Sequence, residues 1–580
     1  RHWRSRVTAR CAACSSGTSV SSATLLAVGP QGIAPGRPYA ERDEQEPPWH
    51  DRLALGLWHG AAMPLVGATG IRQRRARGLV AQVDALADEL AALDDARLRA
   101  EAQALRARLR RDGFTITQVA RVFALAREAA GRTLGLRHFE TQLMAGWWLL
   151  EGSLVEMATG EGKTFAATLP AITAALAGLP VHVITVNDYL AERDAKFLSP
   201  LYGFFGLRVG AVVNGLAKAQ RRSLYAGDVT YVSNKELAFD YLRDRAALGD
   251  RASPMHLAVE SLREGTARAD SIVLRGLVFG IVDEADSVFI DEARTPLILS
   301  TSGGRDGQRA DRDLALGIAG LLEPGTHYVL EPAHRRVRLT DAGREAVDTL
   351  AEESGQAAVF ASTREADEAI ERALAALHLY ARDQQYVVVE GKIQIVDEST
   401  GRAMPDRAWE RGLHQMIEAK EALELTGARE TLARITYQRL FRRYLRLAGM
   451  SGTATEVAAE IGSTYGLSVV RVPLHRPSQR VDRGARCFVD SAAKWAAVVE
   501  AVERVAVQEG RPVLVGTRTV KASEELSGLL AARGIDHVVL NAKQDRDEAS
   551  IIARAGEAGR VTVATNMAGR GTDIVLGPGA

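Results

Sequence analysis

The residues best suited to phosphate chemistry form a glycine-rich segment, residues 159–164, which ends in Gly-Lys-Thr and precedes a helix-forming run. Glycine lets backbone N–H groups approach phosphate oxygens closely, and a helix N-terminus favours negative charge. The spacing predicts that Lys163 contacts the β- and γ-phosphates of a nucleotide and that Thr164 ligates Mg²⁺. The strict eight-residue motif has glycine where this chain has Met157, so a plain glycine-rich turn is the alternative. The rest of the predicted cradle consists of Gly160, Glu161 and Gly162.

A pair of carboxylates, Asp283 and Glu284, follows an apolar run that predicts a buried strand at 276–282. Parallel α/β sheets bind ligands at the carboxyl ends of their strands, where this pair would lie. The pattern predicts that Asp283 joins Thr164 in holding Mg²⁺ and that Glu284 orients and deprotonates the attacking water. The alternative is an acidic strand end that faces solvent. Together with the glycine-rich loop, the pair indicates a P-loop ATPase that uses ATP and Mg²⁺.

Further residues suited to nucleotide binding lie on either side of these motifs. Upstream, Phe139 is placed to stack on an adenine ring and Gln142 to bond its polar edge. Downstream, residues 449–454 resemble the small-residue motif with which helicase-type ATPases link ATP state to domain closure. A later glycine-rich segment offers Arg570 as an arginine finger on the γ-phosphate and Asp573 as a nucleotide contact. Each of these signals is weak alone, and their order along the chain is specific.

Short apolar runs that alternate with helical patterns must position these residues. The runs form two groups, one at 181–186 and 276–282 and the other at 513–516 and 561–564. Continuous apolar strands bounded by helices indicate parallel sheets that are covered on both faces. We therefore predict an α/β fold with two RecA-like P-loop NTPase modules of the helicase superfamily 2 type. A polar segment between the two groups predicts an insertion.

Composition narrows the class of protein. The chain has 580 residues, with 73 Lys and Arg against 72 Asp and Glu and a formal charge of +1. This balance disfavours a general nucleic-acid binder, so no nucleic-acid partner is expected. Three cysteines cannot form a disulfide framework, and Cys11 and Cys14 without further ligands predict no zinc site. No apolar run is long enough for a membrane span, while the basic run 72–77 leaves contact with an anionic membrane surface open.

The motifs together resemble the SecA family of protein-export ATPases. The resemblance implies a motor that couples ATP hydrolysis to the translocation of unfolded preproteins through the SecYEG channel, with an inserted α+β peptide-binding domain. It implies a bacterial protein, cytoplasmic and peripheral on the cytoplasmic face of the inner membrane, with the chloroplast stroma as the weaker alternative, and it leaves a homodimer open. The segments that carry it are 137–139 with 142, 157–164, 186–191, 239–244, 282–300, 395–398, 400–402, 412–415, 418–421, 447–454 and 565–577.

The resemblance also suggests how the chain is divided. We expect an N-terminal extension at 1–66, either disordered or artefactual, followed by a nucleotide-binding domain interrupted by the insertion. The expected parts are nucleotide-binding domain 1 at 67–294 and 377–468, the inserted preprotein-crosslinking domain at 295–376, and an incomplete nucleotide-binding domain 2 at 469–580.

Departures from the family pattern leave other functions open. The insertion is shorter than is usual in the family. The second arginine motif, helical scaffold, wing domain and zinc-binding tail that the family carries do not occur within these 580 residues. One alternative is therefore a truncated chain or SecA-like paralogue that binds nucleotide without productive turnover. The other is an RNA or DNA helicase of superfamily 2, which would carry a basic, aromatic-lined strand channel.

Overall fold

The computed structural model describes residues 41–42, 70–249, 260, 271–302, 308–331, 336–353, 363–389, 391–396, 403–404, 408–409, 412–425, 429–540, 551–552, 554–565, 574 and 576–577. The chain divides into two compact units. The first comprises Arg1–Leu299 with Leu432–Asp482, and the second comprises Ser300–Thr431 with Arg483–Ala580. Of the extension predicted at 1–66, only Glu41 and Arg42 belong to the described residues.

Helices and strands alternate along most of the chain, as the sequence predicted. In chain order the α-helices and strands are α1 (Ile71–Ala85), α2 (Ala87–Ala91), α3 (Asp95–Asp112), α4 (Ile116–Leu134), α5 (Glu140–Leu150), β1 (Leu154–Glu156), α6 (Lys163–Ala166), α7 (Thr168–Leu176), β2 (Val181–Thr185), α8 (Asp188–Phe204), β3 (Val209–Val212), α9 (Lys218–Tyr225), β4 (Val229–Ser233), α10 (Asn234–Leu248), β5 (Phe279–Val282), β6 (Pro296–Ser302), α11 (Gln308–Ala319), β7 (Tyr328–Glu331), β8 (Arg336–Leu339), α12 (Asp341–Glu353), α13 (Thr363–His378), β9 (Tyr386–Val389), β10 (Lys392–Val396), β11 (Ala403–Met404), α14 (Leu413–Lys420), β12 (Arg429–Thr436), α15 (Tyr437–Phe441), β13 (Arg446–Ser451), α16 (Ala458–Tyr465), β14 (Val469–Arg471), α17 (Ser491–Val502), β15 (Val513–Thr517), α18 (Val520–Ala532), β16 (Val538–Leu540) and β17 (Val561–Thr565).

A seven-stranded sheet forms the centre of the first unit. Its strand order is β14-β1-β13-β5-β2-β4-β3, and its strand pairs are parallel. The prediction of a parallel α/β fold is confirmed. The strand predicted at 276–282 begins at Phe279, and Gly276 lies outside it with a φ of 115°, far from the values of a β-strand.

Successive residues of a strand point to opposite faces of the sheet. Apolar residues lie on both faces here, and helices cover both of them. In β2, Val183 joins one buried apolar cluster and Ile184 joins another. Trp148 of α5 and Tyr202 of α8 belong to the first cluster, and Phe441 of α15 belongs to the second. The sheet is therefore buried on both sides, which leaves its carboxyl edge as the place for chemistry.

Three helices, α1 to α3, occupy the region from Ile71 to Asp112. Asp94 begins the third of them, because its side chain accepts a hydrogen bond from the N–H of Arg97 at 2.8 Å. Leu98, Leu105 and Leu109 of α3 are buried at helical spacing. Across the ranges listed above, no helix is both long and apolar enough to cross a membrane.

The second unit contains two groups of elements with separate cores. Strands β15, β17 and β16 form a parallel sheet in that order, and Trp495 of α17 and Leu526 of α18 pack in its core. The other group contains the antiparallel pair β7-β8, the antiparallel sheet β11-β10-β9 and helices α11 to α14. Residue 376, where we placed the end of the insertion, lies inside α13, and the core that α13 joins continues to Ile417.

Candidate nucleotide site

Three neighbouring strands of the first unit bring the predicted chemical groups to one edge of the sheet. β13 lies between β1 and β5, and residues 157–164, 283–286 and 452–455 follow the carboxyl ends of these strands. The register places Glu156 of β1 opposite Ser451 of β13. Three motifs that were identified in separate parts of the chain therefore meet at this edge.

The phosphate loop, residues 159–164, requires glycine at two positions. Gly160 and Gly162 have φ values of 85° and 77°, which residues with a side chain rarely adopt. At Gly162 the space is also occupied, because a Cβ there would lie 2.5 Å from Nε2 of Gln142. Helix α6 begins at the next residue, Lys163, and continues through Ala167 into α7. The loop thus turns sharply and places the lysine at the start of a helical segment.

Lys163 and Glu284 form an ion pair across the sheet edge. Nζ of Lys163 lies 3.3 Å from Oε1 of Glu284, and the two side chains are only 12% and 14% exposed. Glu284 has a φ of 47°, a positive value that is uncommon for a residue with a side chain and is often found at functional sites. The predicted phosphate-binding lysine and the predicted base are therefore in contact, although they are far apart in the sequence.

Asp283 is buried beside this ion pair. Burial, reinforced by the charge of Glu284, raises the pKa of Asp283 to about 7, and the charge of Lys163 opposes this effect. Its Oδ1 accepts a hydrogen bond from the N–H of Glu284 at 2.9 Å. A buried carboxylate in this environment is stabilised by a nearby cation, and Mg²⁺ prefers oxygen ligands.

A Mg²⁺ ion bound with a nucleotide usually takes one or two protein oxygens and completes its shell with phosphate and water. Within the described ranges, no group of three or more His, Cys, Asp or Glu side chains is arranged to hold a metal ion. Asp283, which follows β5, and Thr164, the last residue of the phosphate loop, supply one carboxylate and one hydroxyl at the same edge. This donor set fits the predicted Mg²⁺.

The small-residue motif after β13 is fastened to both neighbouring strands. Oγ1 of Thr453 donates a hydrogen bond to Oδ2 of Asp286 at 2.7 Å. On the other side, Oε2 of Glu156 accepts hydrogen bonds from the N–H groups of Ala454 and Thr455 at 2.9 and 2.6 Å. Burial opposes ionisation of Glu156, but bonds from the Thr455 hydroxyl and these N–H groups lower its pKa below the usual range. The Glu156 carboxylate thus joins β1, the strand before the phosphate loop, to the small-residue motif after β13.

Sequence reasoning identified Thr453 only as a member of the motif 449–454, and it assigned no role to Glu156 or Asp286. Glu156 carried a signal, because a charged residue that ends a buried strand directly before a phosphate loop needs a partner. The partner itself could not be found by inspection, since the N–H groups that satisfy Glu156 follow β13, almost three hundred residues away.

The predicted adenine residues lie next to the phosphate loop. Gln142 is buried; its Nε2 donates to the carbonyl oxygen of Glu161 at 2.8 Å, and its Oε1 accepts from the N–H of Phe139 at 3.0 Å. Phe139 is 48% exposed and stacks on His475, with ring centroids 4.0 Å apart. Gln142 therefore joins the phosphate loop to the start of α5. Contact of Phe139 and Gln142 with adenine stays a prediction.

A cleft of 370 Å³ opens beside the phosphate loop, and its walls include Glu156, Ala158, Gly452 and Arg471. This volume lies in the range of small-molecule sites. Apart from this cleft, the structure brings Lys163, Asp283 and Glu284 together at the sheet edge and joins Gln142 to the phosphate loop. Arg570 and Asp573 lie outside the described residues, and their roles stay predictions.

Family models match most of the chain. A model of the SecA DEAD-like domain matches residues 66–462, and a model of the SecA P-loop domain matches residues 477–580. The first match alone covers more than half of the chain. It includes the phosphate loop, the acidic pair and the small-residue motif.

Curated relatives agree with these matches. Protein translocase subunit SecA 2 of Nitrosospira multiformis is 50% identical over 97% of this chain and 83% of its own length. SecA 2 of Bordetella avium is 53% identical over 87% of this chain and 76% of its own length. Protein translocase subunit SecA of Acidithiobacillus ferrooxidans is 45% identical, and the match spans 87% of this chain but 53% of that protein. These matches show that the chain belongs to the SecA family of protein-translocase ATPases.

Proposed function

We propose that this SecA-family ATPase hydrolyses ATP at the edge formed by β1, β13 and β5 and uses the energy to move unfolded preproteins through a SecYEG channel. The observation that carries the proposal is the contact of Lys163 with Glu284 at 3.3 Å, which joins the phosphate loop to the acidic strand end. Relatives that are named protein translocase subunits support the proposed role in protein translocation.

Each group at the site has a role that follows from its chemistry. Lys163 binds the phosphates of ATP. These phosphates compete with the Glu284 carboxylate for the positive charge of Lys163. Glu284, released from the lysine, accepts a proton from the attacking water, a step that contributes about 10²–10⁴-fold in rate. Asp283 and Thr164 hold Mg²⁺, which when bound neutralises charge on the phosphate oxygens. Arg570 and Asp573 complete the site in this proposal, with Arg570 as the arginine finger.

The proposal extends to partners and location. Arg74, Arg75 and Arg77 of α1 are exposed and suit an anionic membrane surface, which would keep the protein peripheral on the cytoplasmic face of a bacterial inner membrane. The inserted domain, proposed at 295–376, would contact the preprotein, and a homodimer remains part of the proposal.

ATPase stimulation tests the proposal. We expect phosphate release by the purified chain to rise with SecYEG proteoliposomes and an unfolded preprotein, and not with RNA. Lys163→Ala should abolish tight nucleotide binding, whereas Lys196→Ala, at an exposed position on α8, should not. Stimulation by RNA instead would favour the helicase alternative. Binding of ATP without turnover under every condition would show a nucleotide-binding chain that lacks the motor activity.

A further inference from the structure

An irregular segment, residues 472–490, connects β14 to α17, and we call it the connector. Its first residues are fastened to the phosphate-loop region of the first unit. The N–H of Val472 donates to the carbonyl oxygen of Glu156 at 2.9 Å. The N–H of His475 donates to Oε2 of Glu161 at 3.1 Å, and the His475 ring stacks on Phe139 with an interplanar angle of 24°.

The stacked ring of His475 covers one face of Phe139. Hydrogen bonds link this stack to the phosphate loop. Glu161 belongs to the loop and holds His475 through its carboxylate, and Gln142 joins the carbonyl oxygen of Glu161 to the N–H of Phe139. In the binding mode proposed here, a nucleotide whose phosphates lie on the loop stacks its base on this covered face of Phe139.

A base and the histidine ring cannot occupy this face of Phe139 together. The ring centroids of Phe139 and His475 are 4.0 Å apart, which is one stacking layer. Insertion of a base between them would need two layers, or about 7 Å. The base must therefore displace the histidine ring.

We propose that His475 is a nucleotide-gating residue that competes with the adenine base for Phe139, so that base binding displaces the His475 ring and loosens this part of the connector. The inference rests on the proposed role of Phe139 as the base platform. Because only the population with His475 displaced accepts the base, the apparent dissociation constant equals the intrinsic constant divided by the displaced fraction. A ligand that carries a base therefore displaces His475, and a ligand without a base does not. In this way the ligand controls the connector, which leads to the second nucleotide-binding module.

The test compares ATP with inorganic tripolyphosphate, which carries the charges of ATP but no base. Calorimetric titration of the full chain gives the affinity for each ligand. We expect His475→Ala to tighten ATP binding about 2- to 10-fold, the range expected for loss of one aromatic stack, and to leave tripolyphosphate binding unchanged. His475→Phe, which restores a stacking ring, should bind ATP no more tightly than the wild type. Gln479→Ala, at an exposed connector position, is the matched control.

Each outcome is informative. Weaker ATP binding by His475→Ala would make His475 a wall of the base site and overturn the competition. Unchanged ATP binding by His475→Ala, with Phe139→Ala weakening ATP, would show that the stack does not oppose the base. Unchanged ATP binding by Phe139→Ala would remove the base platform and this inference with it. The phosphate-loop assignment would still stand if Lys163→Ala lost both ligands, so the two failures are distinguishable.

Discussion

Replacement of Gly162 by alanine is expected to damage the phosphate loop more than the same replacement at Gly160. Both glycines have positive φ values, 77° and 85°, so both substitutions carry the same kind of backbone strain. Only at Gly162 does the added Cβ meet another group, since it would lie 2.5 Å from Nε2 of Gln142, whereas no atom lies within 4 Å at Gly160. The two variants therefore separate strain from collision.

The magnitudes follow from these contacts. A left-handed conformation costs a residue with a side chain roughly 1–2 kcal/mol. The collision at Gly162 also forces the Gln142 amide away from the carbonyl oxygen of Glu161, and the loss of that hydrogen bond costs about 1 kcal/mol. We expect Gly162→Ala to weaken ATP binding by about 2–3 kcal/mol, roughly 30- to 150-fold, and Gly160→Ala by about 1–2 kcal/mol.

A double-mutant cycle isolates the collision. ATP affinity is measured for the wild type, Gln142→Ala, Gly162→Ala and the double variant. Without the Gln142 side chain, the alanine at 162 retains only the backbone strain, so the two substitutions should couple by about 1 kcal/mol. Additive effects, or a Gly160→Ala variant as impaired as Gly162→Ala, would refute the view that Gln142 holds the loop by direct contact.

Two further predictions concern the reaction and the stability of the first unit. Glu284→Gln should bind ATP yet lose about 10²–10⁴-fold in turnover in a phosphate-release assay. Glu192→Gln, on the exposed face of α8, should keep its turnover. Unchanged turnover by Glu284→Gln would show that Glu284 is not the base. Burial lowers the pKa of His182 to about 4, so the unfolded chain binds more protons between about pH 4 and 6.5, and stability falls as the pH drops through that window. Urea unfolding measures the free energy of unfolding at pH 7 and pH 5. The decrease between these pH values should be about 2 kcal/mol smaller in His182→Gln than in the wild type. An equal decrease in both proteins would contradict the burial argument.

The sequence by itself determined the modular α/β fold and the central chemical groups. Lys163, Asp283 and Glu284 could be identified because glycine spacing, buried strands and strand-end carboxylates are local patterns. Such patterns depend on backbone freedom and on the burial of nearby residues, and both can be read from neighbouring positions in the chain.

Only the tertiary structure decided which distant residues touch. Glu156 binds the N–H groups after β13, Thr453 binds Asp286, and His475 stacks on Phe139 because β13 and β14 lie on either side of β1. Strand order in a parallel sheet depends on how helices and crossovers pack, and side-chain spacing does not encode it. The sequence therefore predicted the groups that perform the chemistry, and the fold determined the residues that hold and gate them.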